Sequence, residues 1–188
     1  MLLLKRALDQ AAVWHTGQLR KYPSVSVPYV SHVAGVVAIL ARHGFDAEVQ
    51  AAGALHDVLE DCGVSPAELS AMFGARVCEL VRLSSEEGTK ELSWEERKRA
   101  YVEKFPHKPW EAQAITLADK IDNFASIIEC ADRFGNPWAM FKRGKAAQLE
   151  RFRALETAAR ALPSHPLIDE YVAMLTVMAE VPEPDPLA

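Results

Sequence analysis

Residues 56–61 read His-Asp-Val-Leu-Glu-Asp and close an otherwise apolar segment, Val49 to Leu59. Four ionisable side chains on the end of a buried helix cost stability unless something compensates them, and a bound cation is the natural compensation. At roughly 100° per helical residue, positions 56, 57, 60 and 61 fall at about 0°, 100°, 40° and 140°. His56 and Glu60 then stack four apart, as do Asp57 and Asp61, while Ala51, Ala54, Leu55 and Val58 face elsewhere. The adjacent His56-Asp57 pair supplies one nitrogen and one oxygen ligand. Two more are needed to hold an ion with positions left for water and a phosphate.

His32 is a candidate nitrogen donor, and Asp119 is a candidate oxygen donor at the end of the apolar stretch Ala114-Ile-Thr-Leu-Ala118. Asn123 lies four residues beyond Asp119 and shares its face. A set of two His and two Asp is oxygen-rich, which favours Mn²⁺, Fe²⁺ or Mg²⁺-like chemistry over a closed structural zinc site. A His-Asp dipeptide is common by chance, and its ordinary role is a polar pair at a helix end. Here His56, Asp57 and Asp119 all interrupt apolar faces. A purely structural ion-pair network would call for Lys or Arg partners, and residues 49–61 contain none.

The elements that must position these residues read as helices. Residues 2–21 place Leu3, Ala7, Ala11 and Trp14 at spacings of three and four. After a Pro- and Ser-containing loop, Pro28 opens a second helix to about His43, stopped by Gly44. Asp46 caps a third, running to about Asp61 before Gly63. Ser65 with Glu68, and Ser93 with Glu96, read as capping boxes for helices ending near Phe73 and Phe105. Residues 75–83 continue helically, and 84–91 form a polar loop. Further helices are predicted over 110–134, 137–161 and 167–180, and the Pro-rich tail 181–188 is expected to be disordered. No stretch alternates with period two, so the expected fold is all-α, one helical domain over residues 1–180.

Composition narrows the function classes. Hydrophobic content of 49% with 25% charged residues suits a soluble globular chain. A net charge of −5 removes the electrostatic case for non-specific nucleic-acid binding. Three cysteines without metal-ligand spacing fit a reducing cytoplasm, and no run approaches the roughly 18 apolar residues that span a bilayer. The apolar start is too short for a signal peptide. His15 reads as structural, because no other ionisable residue lies at helical spacing before Arg20. His43, His107 and His165 fall in helix-end or loop contexts without evident chemistry. Trp14, Trp94, Trp110 and Trp138 read as packing residues.

Taken together, Ala-Ala-Val-Trp-His-Thr-Gly-Gln-Leu-Arg-Lys (11–21), Pro-Tyr-Val-Ser-His (28–32), Ala-Leu-His-Asp-Val-Leu-Glu-Asp (54–61) and Leu-Ala-Asp-Lys-Ile-Asp-Asn (117–123) carry a resemblance. A weaker match is Trp-Glu-Glu-Arg-Lys-Arg-Ala-Tyr (94–101). The chain resembles the hydrolase domain of the Rel/SpoT alarmone enzymes, and more closely the stand-alone small alarmone hydrolases, within the HD-domain phosphohydrolase superfamily. The resemblance implies an HD-type helical bundle holding a single Mn²⁺ on His32, His56, Asp57 and Asp119. It implies Glu60 and Asp61 as the acidic pair that activates water, with the choice between them open. It also implies Arg20 and Lys21 at the mouth of the site and Asn123 beside the nucleoside. Ser126 stands where the family often has Thr.

The implied reaction is hydrolysis of guanosine 3′,5′-bis(diphosphate), or the pentaphosphate, to pyrophosphate and GDP or GTP. The partner expected is therefore a small nucleotide, not a nucleic acid or a membrane. No residues remain downstream for a synthetase domain, so degradation without synthesis is expected. Departures from the family pattern are a longer loop between Lys21 and Pro28, Ala125 where Arg is frequent, and Ala146 near the place of a ligand-holding Tyr. Lys142, Arg143 and Lys145 are basic candidates nearby, or a solvated helix face. Two other functions stay open: a phosphatase of the same type acting on another nucleotide (a 5′-nucleotidase or an NADPH 2′-phosphatase), and a non-catalytic regulatory module.

Overall fold

The computed structural model describes residues 2–85 and 93–183, so the expected polar loop, apart from Ser84 and Ser85, and the last five tail residues lie outside the described residues. The described residues form an all-helical fold. Ten α-helices run in the order α1 Leu2–Trp14, α2 Val30–Arg42, α3 Ala47–Ala54, α4 Val58–Asp61, α5 Pro66–Phe73, α6 Ala75–Ser84, α7 Trp94–Lys104, α8 Trp110–Arg133, α9 Gly144–Arg160 and α10 Pro166–Glu180. Short 3₁₀ turns follow α7 and precede α9. Among the described residues the only strand-like pairing is a single antiparallel bridge between Leu19 and Pro28.

The spine is α8, which packs against α2, α3, α6 and α10. Every residue from Ala112 to Asp119 is buried. A helix surrounded on all sides needs small and apolar residues at every position, which explains the run Ala-Gln-Ala-Ile-Thr-Leu-Ala before Asp119. Gln113 is satisfied by donating to the Phe105 carbonyl (3.0 Å). On the C-terminal half of α8, Phe124 meets Phe152 of α9 edge-on (centroids 4.7 Å) and also contacts Tyr171 of α10. The Tyr171 hydroxyl donates to the Phe152 carbonyl (2.9 Å), which fixes α9 against α10.

Close approach of α2 and α3 depends on Gly53. A Cβ there would overlap Leu40 Cδ1 of α2, and Leu40 is wholly buried. Gly35 plays the same part between α2 and α8, where a Cβ would overlap the Asp122 carboxylate.

Several predicted boundaries move. Helix α1 stops at Trp14 rather than Lys21, because Gly17 takes φ +80° and the chain turns away. Residues 18–29 instead form a hairpin-like loop, held by Arg20 N–H to Val27 O (2.8 Å) and Tyr29 N–H to Gln18 O (2.9 Å). Pro28 lies in that bridge, and α2 begins at Val30. The expected third helix breaks after Ala54, and residues 55–57 form a turn before α4. Asp46 does cap α3, accepting from the amides of Glu48 and Val49. Ser93 and Glu96 make a full capping box, whereas at Ser65 only the serine half is present. The predicted helix over 137–161 divides into a 3₁₀ turn and α9.

At the start of the tail, Trp138 Nε1 donates to the carbonyls of Val181 (3.3 Å) and Pro182 (3.1 Å), and Lys145 Nζ donates to Val181 O (2.8 Å). Residues 181–183 are therefore anchored, not disordered. Among the described residues no helix is long and apolar enough to cross a membrane. Replacing Gly53 by Ala overpacks the α2–α3 contact, and urea denaturation should show a loss of about 1–3 kcal/mol.

Candidate functional site

The expected donors come from three separate elements. His32 sits in the first turn of α2, His56 in the turn between α3 and α4, and Asp119 at the end of the buried stretch of α8. The turn at His56 has a local cause. The Gly53 carbonyl, which would accept a backbone amide in a continued helix, accepts from His56 Nδ1 (2.9 Å). That bond points His56 Nε2 inward. On the facing helix, His32 Nδ1 donates to Asp122 Oδ2 (2.6 Å), which points His32 Nε2 at the same place. Outer-shell partners of this kind fix ring orientation and leave one nitrogen lone pair for a metal.

His32, His56 and Asp119, all buried, converge as a group able to hold a metal ion. The two Nε2 atoms are 3.3 Å apart, and Asp119 Oδ1 lies 3.4 Å from His32 Nε2 and 3.9 Å from His56 Nε2. Donors bound about 2.1–2.2 Å from one ion, at octahedral to tetrahedral angles, stand roughly 3.0–3.6 Å apart. Two of the three separations lie in that range, and the 3.9 Å between His56 and Asp119 exceeds it by a few tenths of an ångström. Asp57 joins from one side, with Oδ2 2.9 Å from His56 Nε2 and 3.8 Å from His32 Nε2. The Tyr29 hydroxyl donates to that same Asp57 oxygen.

The buried charges compensate one another. Burial alone would lower the His56 pKa, but the neighbouring Asp57 and Asp119 carboxylates outweigh it and push the ring up to about 9. Burial would raise both carboxyls. Instead His56 and His32 hold Asp57 below the usual carboxylate range. Lys120 with the two histidines does the same for Asp119. Lys120 Nζ contacts Asp119 Oδ2 at 2.5 Å, and Asn123 donates its side-chain amide to Oδ1. The cationic partner absent from residues 49–61 is thus supplied by α8.

One cavity opens onto the cluster, and a second lies beside Tyr29 and Asn123, the partners of Asp57 and Asp119. The smaller, about 90 Å³, is lined by His56, Asp57, Glu60 and Asp119 together with Lys98, Lys120, Tyr101 and Arg151. The larger, about 320 Å³, is lined by Arg20, Lys21, Tyr22, Asp61, Asn123 and Ser126, with Phe141 and Arg151. The predicted flank of four acidic and imidazole groups is therefore divided. Glu60 faces the smaller cavity, whereas Asp61 faces the larger and accepts from Gln18 Nε2 (2.7 Å).

Arg20, carried by the loop rather than by α1, reaches Asn123 Oδ1 (3.1 Å) and Ser126 Oγ (2.8 Å) through Nη2. The three residues expected around a nucleoside are in contact, with exposed Lys21 at the rim of their cavity. Arg143 and Lys145 are engaged elsewhere, by Glu95 (2.6 Å) and by the Val181 carbonyl, and Lys142 is exposed. His15 is structural, with Nδ1 2.7 Å from Gln18 Oε1.

The sequence reading did not single out Tyr29, Lys98, Lys120, Asp122 or Arg151. For Tyr29 and Asp122 a signal existed, since each lies three residues from a predicted ligand and so shares its helix face.

Comparison with known proteins agrees with this geometry. The family model described as "HD domain" matches residues 7–137. The chain belongs to the HD-domain family. It is 36% identical over 130 residues to the zebrafish (Danio rerio) guanosine-3′,5′-bis(diphosphate) 3′-pyrophosphohydrolase MESH1, covering 68% of this chain and 71% of that one. The human protein of the same name is 38% identical over 129 residues, covering 68% and 70%. A solved structure of a metazoan ortholog of SpoT that hydrolyses ppGpp superposes with a TM-score of 0.80 at 28% identity, covering 94% of this chain and 96% of that one. This HD domain is thus related to the MESH1 and SpoT-type hydrolase domains, and its buried His/His/Asp group could hold a divalent metal ion.

Two outcomes follow for the metal site. Metal must displace the proton that His56 holds below about pH 9, so apparent affinity should rise about tenfold per pH unit below that value and level off above it. Calorimetric titration with Mn²⁺ across pH 6–10, a range chosen as roughly bracketing that value, measures this. Asp122→Asn weakens the bond that orients His32, and metal affinity should fall by about 10–100-fold with the fold intact by circular dichroism.

Proposed function

We propose that the chain is a Mn²⁺-dependent 3′-pyrophosphohydrolase of guanosine 3′,5′-bis(diphosphate) and the corresponding pentaphosphate, releasing pyrophosphate with GDP or GTP. The observation that carries this reading is a small cavity lined by His56, Asp57 and Asp119 beside a larger one lined by Arg20, Asn123 and Ser126, the two sharing Arg151 and Phe152. That division suits a nucleoside joined to a phosphate chain. Likeness to the MESH1 proteins, whose names give this reaction, supports the substrate.

In this reading His32, His56, Asp57 and Asp119 hold the ion. A divalent cation at that point brings the pKa of bound water toward neutrality and offsets charge on the phosphoryl oxygens. Glu60, which shares the smaller cavity with the ligands, takes the proton from the attacking water. The water oxygen bonds to phosphorus, the ribose O3′–P bond breaks, and a proton ends on O3′ as pyrophosphate departs. Asp61 does a different job. Held by Gln18, it faces the nucleoside cavity and sets the position of that wall. Arg20 lies with its guanidinium 5.9 Å from the Tyr29 ring centroid and offers a flat cationic surface to a base, while Lys21 acts as a point charge for phosphate.

The decisive measurement is a substrate panel with Mn²⁺, reading pyrophosphate and GDP by chromatography. Guanosine 3′,5′-bis(diphosphate) should be turned over with a higher kcat/KM than nucleoside monophosphates or NADPH; the reverse order would assign the site to another nucleotide. Glu60→Gln should lower kcat by on the order of 10²–10⁴-fold with KM little changed. Asp61→Asn should act mainly on KM. Asp57→Ala should abolish metal-dependent turnover.

A further inference from the structure

His15 is buried, with 4% of its surface exposed, and lines neither cavity. Its place follows from the turn that ends α1. The His15 carbonyl accepts from the Gln18 amide (2.9 Å) across a turn in which Gly17 takes φ +80°, and the side chains at the two ends of that turn meet. His15 Nδ1 lies 2.7 Å from Gln18 Oε1, and Gln18 Nε2 donates to Asp61 Oδ2 at 2.7 Å. The far end settles the direction of both bonds. A carboxylate only accepts, so Gln18 turns its amide nitrogen toward Asp61 and its oxygen toward the ring. His15 then carries its hydrogen on Nδ1 and donates it to Gln18.

A second contact reaches the same place. Cys62, the residue after Asp61, brings its Sγ to 3.3 Å from His15 Nδ1. One ring therefore touches the chain neighbour of Asp61 and, through Gln18, the Asp61 carboxylate. Its other contact is Tyr29, with ring centroids 4.7 Å apart, whose hydroxyl holds Asp57. Asp61 itself is exposed and ends the four-residue helix α4, where a carboxylate samples several rotamers unless a partner selects one. Gln18 lies in a loop and is half-buried. Bonded at its far end to a buried ring, it acts as a strut rather than a mobile surface amide.

We propose that His15 is a positioning residue that, through Gln18, fixes the Asp61 carboxylate at the wall of the larger cavity. This inference rests on the proposed function, in which Asp61 sets that wall, and it adds the group that holds Asp61 in place.

The test measures kcat and KM of the Mn²⁺-loaded full chain for guanosine 3′,5′-bis(diphosphate), with Mn²⁺ affinity and Tm recorded for each variant. His15→Phe keeps an aromatic ring against Tyr29 but has no donor, whereas His15→Asn keeps an amide N–H near the place of Nδ1 and has no ring. His15→Phe should raise KM by about three- to tenfold, the scale of one net hydrogen bond, with kcat and Mn²⁺ affinity little changed. His15→Asn should recover most of the wild-type KM. Gln18→Met breaks the same strut in its middle and should match His15→Phe. In an Asp61→Ala background neither change should raise KM further, because residues acting through one carboxylate are not additive.

A wild-type KM in both His15→Phe and Gln18→Met would overturn the proposal and leave the hydrolase reading standing. So would effects that multiply with that of Asp61→Ala, which place the action of His15 elsewhere. A His15→Asn defect as large as that of His15→Phe marks the ring as packing only and overturns it too. Where His15→Phe lowers Tm or loses Mn²⁺ binding, the cycle of Gln18→Met with Asp61→Ala decides. A wild-type chain that does not hydrolyse guanosine 3′,5′-bis(diphosphate) sinks the functional reading, and this inference with it.

Discussion

The structure depends on burying two imidazole nitrogens against two carboxylates at the point where α2, α8 and the α3–α4 turn meet. Isolated, each of these charges would cost several kcal/mol to bury. They persist because each is tied from behind: His32 by Asp122, His56 by the Gly53 carbonyl, Asp57 by Tyr29, and Asp119 by Lys120 and Asn123. A set this closely neutralised is poised, with the His56 proton occupying the role that a cation takes over. Proton and metal are alternatives at one place, so the contacts that hold these side chains also set the pH dependence of metal binding.

That requirement explains features of the fold that look incidental. The glycines at 35 and 53 are where α2 touches α8 and α3, and larger residues there would displace Asp122 and Leu40. Small residues at these contacts bring the helix axes close enough for first-turn and turn-borne histidines to meet. The buried half of α8 then supplies a rigid wall, and its Asp119 enters the site from a stretch with no exposed residue. Ligands carried by packed helices have little freedom to drift, which metal chemistry demands more strictly than binding of a flexible nucleotide does.

Much of this was legible in the sequence, for a physical reason. His56, Asp57 and Asp119 interrupt apolar faces, and an ionisable residue in an apolar run must be compensated by something. His32, Arg20, Asn123 and Ser126 came from the resemblance or from helical spacing; the structure brings His32 to His56 and Asp119, and the other three to the larger cavity. The break at residues 55–57 was not legible. No Gly or Pro signals it there, and its cause is a side-chain bond from His56 to its own helix. The end of α1 was missed because Ala11 to Trp14 carry helical periodicity up to Gly17, whose positive φ decides the turn. Nothing in the sequence singled out Lys120 or Arg151; Lys120 pairs with Asp119, its neighbour on α8, and Arg151 lies against Phe152, which meets Phe124 of α8.

The division of labour between rigid and variable parts follows from where each residue sits. The metal cluster and its outer partners lie on α2, α8 and the α3–α4 junction, whereas Arg20, Lys21 and Tyr22 ride on the loop 18–29, and Phe141 on the segment before α9. Loops tolerate insertion and change at small cost, while the buried cluster does not. A longer 22–27 loop can therefore reshape the larger cavity while His32 stays bonded to Asp122 of α8. Two loop residues link these parts: Tyr29, whose hydroxyl holds Asp57, and Arg20, which reaches Asn123 and lies 3.7 Å from the Asp122 carboxylate that orients His32. The loop that lines the larger cavity is thus tied to three of the site residues, to Asp57 through Tyr29 and to Asp119 and His32 through their partners Asn123 and Asp122.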